Sequence, residues 1–365
     1  MRIAYDLRYA SDHFTGIGTH AWCLFRELLE LPGDERYVAL WNPGLPSRRY
    51  DIARFVAHPR VTWREAPIAP LGLRDPWAVG DWLRRERPDL YVSPFYVVPF
   101  GAPCPVVVTL HDVWPLRMPR GLPLLRRALF RASLARLARA RLVLTSSEFS
   151  RQEILHLTGL DASRVAAVRL GVPPPSGGAS ERPAGAPDGA FALVVGDNRP
   201  RKNLALLARV WAGIAGRAGA SLVSAGPVDP RYPSLSELAR RAGDDRQVVT
   251  LGWVSDPELR WLYAHAAVVL FPSRYEGFGL PMVEAFASGT PVIAADTPTL
   301  AEVGDGAAWL ADPDDVSCWS AALARLLDDP EERARRAAAG RRRAAELDYR
   351  VTAERTLAWL RAVAS

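Results

Sequence analysis

Apolar, β-branched runs alternate with helical patterns along nearly the whole chain, and the alternation occurs in two sets. The first set is RIAY, YVALW, LYVS, VVVTL, LVLTS and VAAVRL; the second is FALVVG, ASLVSAG, QVVTLG, AVVLFPS, TPVIAAD and AAWLAD. Between them lie stretches such as THAWCLFRELLEL, with Trp22, Phe25, Leu28 and Leu29 on one side, and NLALLARVWAGIAG. Continuous apolar strands that alternate with helices belong to parallel sheets covered on both faces. A chain of 365 residues is long for one core, so two domains are expected. GVPPPSGGASERPAGAPDGA, residues 171–190, is dense in Pro, Gly, Ala and Ser and lacks apolar periodicity, which marks a boundary. The chain is thus expected to be α/β, with Rossmann-like doubly wound domains over 1–172 and 190–347 facing each other across a cleft. A linker spans 173–189. The remaining 348–365 hold an amphipathic helix, VTAERTLAWLRAV, starting near a Thr352 cap and expected to pack back toward the first domain.

Several function classes fall away. VSPFYVVPFGAPCPVVVTL, residues 92–110, is uncharged and long enough to span a bilayer. Pro94, Pro99, Pro103 and Pro105 each remove a backbone donor, so two buried strands around a proline-rich loop are expected instead. MRIAYDLRYA meets Asp6 early and reads as a strand rather than a targeting segment. Cys23, Cys104 and Cys318 are isolated from one another, which suits neither a disulfide framework nor a zinc site. Free buried thiols fit a cytoplasmic setting.

The net charge of +6 is uneven. Through Val172 the chain has 24 Arg against 16 Asp and Glu, a balance of +8, leaving −2 for the rest. Much of the excess lies in residues 116–144, where Leu125, Leu129, Leu134 and Leu137 recur at helical intervals among arginines. That pattern is a helix with a basic face: a solvated surface, or a peripheral contact with anionic lipid or an anionic acceptor at the inner face of the membrane. No aromatic residues interleave with these arginines, so nucleic acid is not expected as a partner.

Lys202 is the single lysine among 46 basic residues. It follows the strand FALVVG through the loop DNRPRKN, beside Arg201, with Asn203 placed to cap the next helix. Two cations and a helix start suit a phosphate, and a compact ammonium serves where a planar guanidinium does not. A surface charge pair is the bland alternative.

The strongest signal is SRYEGFGLPMVEAFASGTPVIAAD, residues 273–296. A strand leads into a loop carrying Gly277 and Gly279, Pro281 suits a first helical turn, and Gly289 suits a helix end. Main-chain N–H groups at Phe278, Gly279 and Leu280 can then face a ligand. Glu276 on the loop and Glu284 in the helix can each accept two hydrogen bonds from a vicinal diol.

This segment resembles the E-x7-E motif of glycosyltransferase family 4, retaining enzymes with the GT-B fold. VGDNRPRKNLALL resembles that family's phosphate loop, with Arg199 where an acidic residue is usual. GIGTHAWCLFREL, VVVTLHDVWPLRMP and TSSEFSRQEI resemble its glycine loop, His-Asp and Ser-Glu-Phe-Ser segments. The resemblance implies that Arg201 and Lys202 hold the donor diphosphate and Glu284 the ribose. Glu276 and the amides of Phe278 to Leu280 would position the sugar, and Gly16 and Gly18 would bring a loop near donor and acceptor. His111 would face the transferring sugar, leaving Asp112, Ser147 and Glu148 as acceptor-side candidates.

The implied activity is hexosyl transfer to a glycan, a lipid-linked acceptor or a small molecule, as in cell-envelope polysaccharide synthesis. No cofactor or metal is expected; the donor is a nucleotide sugar, GDP-mannose ahead of UDP-glucose. Alternatives are an epimerase or hydrolase of sugar nucleotides on the same fold, or a non-catalytic sugar-nucleotide binder. GIGTHA also satisfies G-x-G-x-x-A, but Gly16 lies too far beyond Leu7 for the tight turn of a nicotinamide fingerprint. A pyridoxal phosphate enzyme would need Lys202 for its Schiff base, and Lys202 already has a task.

Overall fold

The computed structural model describes residues 1–47, 49–118, 124–173, 179–214 and 219–364. The chain divides into two compact units, the first comprising Met1–Pro173 with Asp348–Ser365 and the second Pro174–Leu347.

The first unit is built on β1 (Arg2–Asp6), β2 (Arg36–Trp41), β3 (Val61–Glu65), β4 (Leu90–Ser93), β5 (Val106–Thr109), β6 (Leu142–Thr145) and β7 (Val165–Ala167). They form one sheet in the order β3-β2-β1-β4-β5-β6-β7. Every pairing is parallel. β4, β5 and β6 are buried along their whole length, which is why their sequences are continuously apolar. β3, VTWRE, was absent from the expected strands; its charged residues are tolerated because it lies at the sheet edge.

The second unit repeats the plan with β8 (Phe191–Val195), β9 (Ser221–Ala225), β10 (Val248–Gly252), β11 (Val268–Phe271), β12 (Val292–Ala295) and β13 (Trp309–Ala311). Their order is β10-β9-β8-β11-β12-β13, again all parallel. The chain reverses its direction of travel at β1/β4 in the first sheet and β8/β11 in the second. In doubly wound sheets the crevice at the carboxyl ends of these two strands is where ligands bind.

Helices cover the sheets. Leu204–Ile214 buries Leu206, Leu207, Val210 and Trp211, and the Trp211 indole donates to the Arg246 carbonyl at 3.2 Å, so the buried indole N–H has its partner. The C-terminal helix, Tyr349–Ala364, belongs to the first unit, where Ala353, Leu357 and Leu360 join the core with Leu24, Phe25 and Leu28. It begins before Thr352, contrary to the expected cap. Asp348 accepts the Arg350 amide at 2.8 Å, while Thr352 Oγ1 donates to the Arg169 carbonyl at 2.8 Å.

The basic stretch differs from the single helix expected over 116–144. It contains the helices Trp114–Arg117 and Leu124–Arg136 and a 3-10 turn, Leu137–Arg139. Residues 119–123 of this stretch and 174–178 of the linker lie outside the described residues. Phe130, Leu134 and Leu137 are buried, but Leu125 and Leu129 are exposed, so the leucines do not form one core-facing stripe.

Candidate active site

In the second unit the phosphate-loop and E-x7-E segments flank the switch point: Lys202 follows β8 and Glu276 follows β11. The two loops are tied by the Arg274 amide, which donates to the Arg201 carbonyl at 2.9 Å. Asn198 fastens the first loop from behind. Its side-chain amide donates to the carbonyls of Asp229 at 3.0 Å and Tyr232 at 2.8 Å, and its oxygen accepts the Asp229 amide at 2.7 Å.

Within this frame, Lys202 Nζ donates to Glu276 Oε1 at 2.7 Å and Arg201 Nη1 donates to the same oxygen at 3.0 Å. Arg201 also approaches Asp197 at 3.4 Å. Lys202 is 7% exposed, and its ammonium lies 5.1 Å from the centroid of the Phe271 ring. Burial pulls the ammonium's pKa down and Arg201 adds to this, while Glu276 opposes them. Burial pushes the Glu276 carboxyl up, but Lys202 and Arg201 outweigh it and hold the group below the usual carboxylate range. The result is a cation pair organised around one carboxylate oxygen.

Gly279 supplies the turn into the helix Leu280–Ala287 with φ +103°, in the left-handed region. A Cβ there would meet Leu300 at 3.0 Å and Phe271 at 3.1 Å, so glycine is needed for both conformation and space. Phe278 is buried beside it, Leu280 opens the helix and Pro281 occupies its first turn. The amides of a first turn have no preceding helical carbonyl to bond, which leaves them to loops or ligands. Glu284 sits one turn in, where Tyr263 donates its hydroxyl to Glu284 Oε2 at 2.8 Å. Asn203 precedes the helix Leu204–Ile214 as expected, but in a left-handed conformation (φ +53°), with its amide donated to the Pro313 carbonyl at 2.9 Å. It ties the loop after β8 to the segment just past β13 rather than serving as a standard cap.

The remaining candidates lie in the first unit. Gly16 and Gly18 are not in a loop: both belong to the first turn of the helix Thr15–Glu30. Gly18 is still a close-approach position, because a Cβ would come within 2.8 Å of both the Tyr9 carbonyl and the Tyr50 hydroxyl. Gly16 has open space around it.

His111 follows β5 and packs edge-on against His20, with ring centroids 5.0 Å apart at 87°. Burial drives the His111 pKa down to about 4, with only a backbone hydrogen bond to Pro94 in opposition. Burial and then His111 push His20 down as well. Both rings are therefore neutral at pH 7. Neither His20 ring nitrogen, nor His111 Nε2, finds a hydrogen-bond partner among the described residues.

Asp112 Oδ1 accepts the Trp114 amide at 3.2 Å, Ser147 caps the helix Glu148–Thr158 by accepting the Ser150 amide at 3.1 Å, and Glu148 pairs with Arg151 at 3.0 Å. Each of these three has local structural work.

The structure thus gathers Arg201, Lys202 and Glu276 in one cluster, with Gly279 and Glu284 on the adjoining turn and helix. Sequence reasoning missed Tyr263, Asn198 and His20. His20 could have been found: it shares a stripe at i, i+4 and i+8 with Leu24 and Leu28, and a histidine on a core-facing stripe asks for an explanation. Tyr263 and Asn198 reach partners only through the fold.

Residues 180–343 match the family Glycosyl transferases group 1, and residues 14–174 match Glycosyltransferase Family 4. The chain is 31% identical over 268 residues to O-antigen chain mannosyltransferase B of Escherichia coli, covering 70% of this chain and 68% of that one. It is 46% identical over 123 residues to MMP alpha-(1->4)-mannosyltransferase of Mycolicibacterium hassiacum, covering 33% of this chain but only 30% of the relative. Anabaena Alr3699/HepE, solved in complex with UDP and glucose, shares the fold with a TM-score of 0.73 at 18% identity, covering 99% of this chain and 100% of that one. With these matches at both halves and the two parallel sheets, the chain belongs to glycosyltransferase family 4, the group 1 glycosyl transferases of the GT-B fold.

Proposed function

We propose that the chain moves a hexose from a nucleoside-diphosphate sugar to a glycan, glycolipid or small-molecule acceptor in the cytoplasm, with retention at the anomeric carbon. The observation that carries this reading is the pair of cations, Arg201 and Lys202, meeting on Glu276 at the β8/β11 switch point. Cleaving the bond between the anomeric carbon and the phosphate oxygen leaves its electron pair, and one further negative charge, on the departing diphosphate. Preorganised cations in a site shielded from water meet that charge without reorganising. An ammonium has three donors and a guanidinium five, so bonds to Glu276 do not exhaust either group.

The other roles follow from position. Glu276, besides holding the cations, accepts from a sugar hydroxyl, and Glu284 accepts from the ribose diol. Phe278, Gly279 and Leu280 offer backbone amides at the helix mouth. His111, kept neutral by burial, presents an imidazole to the sugar as a hydrogen-bonding group rather than a cation. No residue is assigned as a covalent nucleophile. The acceptor oxygen attacks the face that the diphosphate leaves, and the departing phosphate oxygen takes the acceptor's proton.

Mannose from GDP-mannose is the favoured donor sugar, supported by the mannosyltransferase names of two relatives, with UDP-glucose second. The O-antigen relative supports an acceptor in cell-envelope polysaccharide synthesis. The test is incubation of the purified protein with GDP-mannose and, separately, UDP-glucose, with and without mannosyl and glucosyl acceptors, and with the product anomer read by proton NMR. An α-linked product from an α-linked donor is expected. Donor loss that is independent of acceptor would indicate a hydrolase, an inverted product would remove the retaining assignment, and binding without turnover would indicate a non-catalytic binder.

A further inference from the structure

We propose that the first unit docks on an anionic lipid bilayer through a face made of residues 71–77 and the helix Leu124–Arg136. Large apolar side chains stand out of the surface there: Leu73 is 86% exposed, Leu124 79%, Leu125 71%, Trp77 56% and Leu129 52%. With Leu71, these are six of the eleven exposed large hydrophobic residues found among the described residues, gathered into two short segments. Exposed apolar residues scattered singly need no explanation, whereas a gathered set marks an interaction surface.

The two segments adjoin through Phe100. Trp77 packs on the Phe100 ring with centroids 4.3 Å apart, and the Arg136 guanidinium lies 3.7 Å from the centroid of that ring. Leu125 and Leu129 are spaced i and i+4, which places them on a stripe of the helix about 100° or more from the buried Phe130 and Leu134. The leucine stripe is therefore directed away from the core, on the helix whose last residue, Arg136, meets the ring that carries Trp77.

Charge selects the partner. Residues 124–141 contain six arginines and no acidic residue. Leucine and tryptophan beside arginine are the composition of a helix lying in a bilayer interface: the leucines enter the acyl boundary, the indole sits at headgroup depth, and the arginine stems reach back to phosphates. Separate protruding leucines suit a deformable lipid surface better than the fitted pocket of a protein partner. No helix of the described residues is long and apolar enough to cross a membrane, so the contact is one of lying on the surface. The purpose of the contact, delivery to a lipid-linked acceptor, rests on the transferase reading above; the docking does not.

Cosedimentation of the whole chain with vesicles tests this. Binding to equimolar phosphatidylglycerol and phosphatidylcholine should exceed binding to phosphatidylcholine alone by more than about tenfold, and should weaken as salt rises. Leu124→Ser/Leu125→Ser/Leu129→Ser should reduce it by about tenfold or more. Arg131→Glu/Arg139→Glu, with both side chains at the surface, should reduce it by at least about twentyfold, from about fivefold for each arginine lost. Circular dichroism should show both variants folded, and transfer to a water-soluble acceptor should be unchanged. Absence of binding to anionic vesicles, or binding unaffected by both variants, overturns the proposal. So does a lipid-free dimer that the leucine changes dissolve while vesicles fail to compete with it, which would make a second copy the occupant. Loss of transfer in the wild type with vesicle binding intact would count against the transferase reading alone.

Discussion

A buried ammonium is expensive unless paired, and Lys202 has its pairing in Glu276 at 2.7 Å. Glu276→Ala leaves two cations facing a lost carboxylate and should destabilise the second unit by about 3–5 kcal/mol. Adding Lys202→Met should recover much of that loss, a coupling that urea denaturation of the single and double variants would measure. A double-variant cost equal to the sum of the two single costs would show that the pair is not energetically joined.

The lysine also has a shape argument. Its stem passes 3.1 Å from where a Cβ on Gly196 would begin, and its charge sits over Phe271. A guanidinium is broader and planar, so Lys202→Arg should lower turnover, and Lys202→Ala should lower it by about 10²–10³. Steady-state rates at saturating donor decide this; full activity in the Arg variant would mean that any cation suffices. Lys202 was legible in the sequence as the exception to an arginine-only habit. The double claim on Glu276 Oε1 was not, because it depends on two loops separated by 74 positions meeting at one atom.

At the scale of elements, the loop into Leu280–Ala287 is the part that one methyl group can break. Gly279→Ala must hold a side chain at φ +103° against Leu300 and Phe271, at an expected cost of about 1–3 kcal/mol. Donor KM should rise with it, since the helix mouth moves; a variant with unchanged unfolding midpoint and KM would show that the loop has slack. Strands and this turn were readable because buried parallel strands are apolar throughout and glycine marks the turn. The start of the helix Thr15–Glu30 was not, because Gly16 and Gly18 weaken helical propensity and signal a loop, while packing against Tyr9 and Tyr50 overrides it. The basic stretch is shorter in helix than its pattern over 116–144 suggests, and Leu125 and Leu129 fit the helical period while facing outward, because periodicity alone does not say what an apolar stripe meets.

For the whole molecule, the two histidines make the first unit sensitive to acid. His111 titrates at about 4 in the fold against an ordinary value of 6.5, so below that ordinary value the unfolded chain binds the proton first. Stability from the neutral ring is complete above about pH 6.5 and is lost as pH falls through about 4, by about 3 kcal/mol. His20, shifted the same way, adds to the slope. Denaturation midpoints across this window should fall steeply for the wild type and less steeply for His111→Gln. Matching slopes would mean that carboxylates elsewhere carry the whole dependence.

The architecture of two parallel sheets, and the C-terminal helix within the first unit, arise from the same rule: the apolar faces of the sheets are covered by helices. The central claim concerns the second unit, where Arg201 and Lys202 are held to receive a diphosphate. Isothermal titration with GDP or UDP, whichever binds, and with the matching monophosphate tests it most directly. The wild type should bind the diphosphate at least about tenfold more tightly, and Lys202→Ala should lose that advantage while keeping its affinity for the monophosphate. A Lys202→Ala protein that binds the diphosphate as tightly as the wild type would contradict the account.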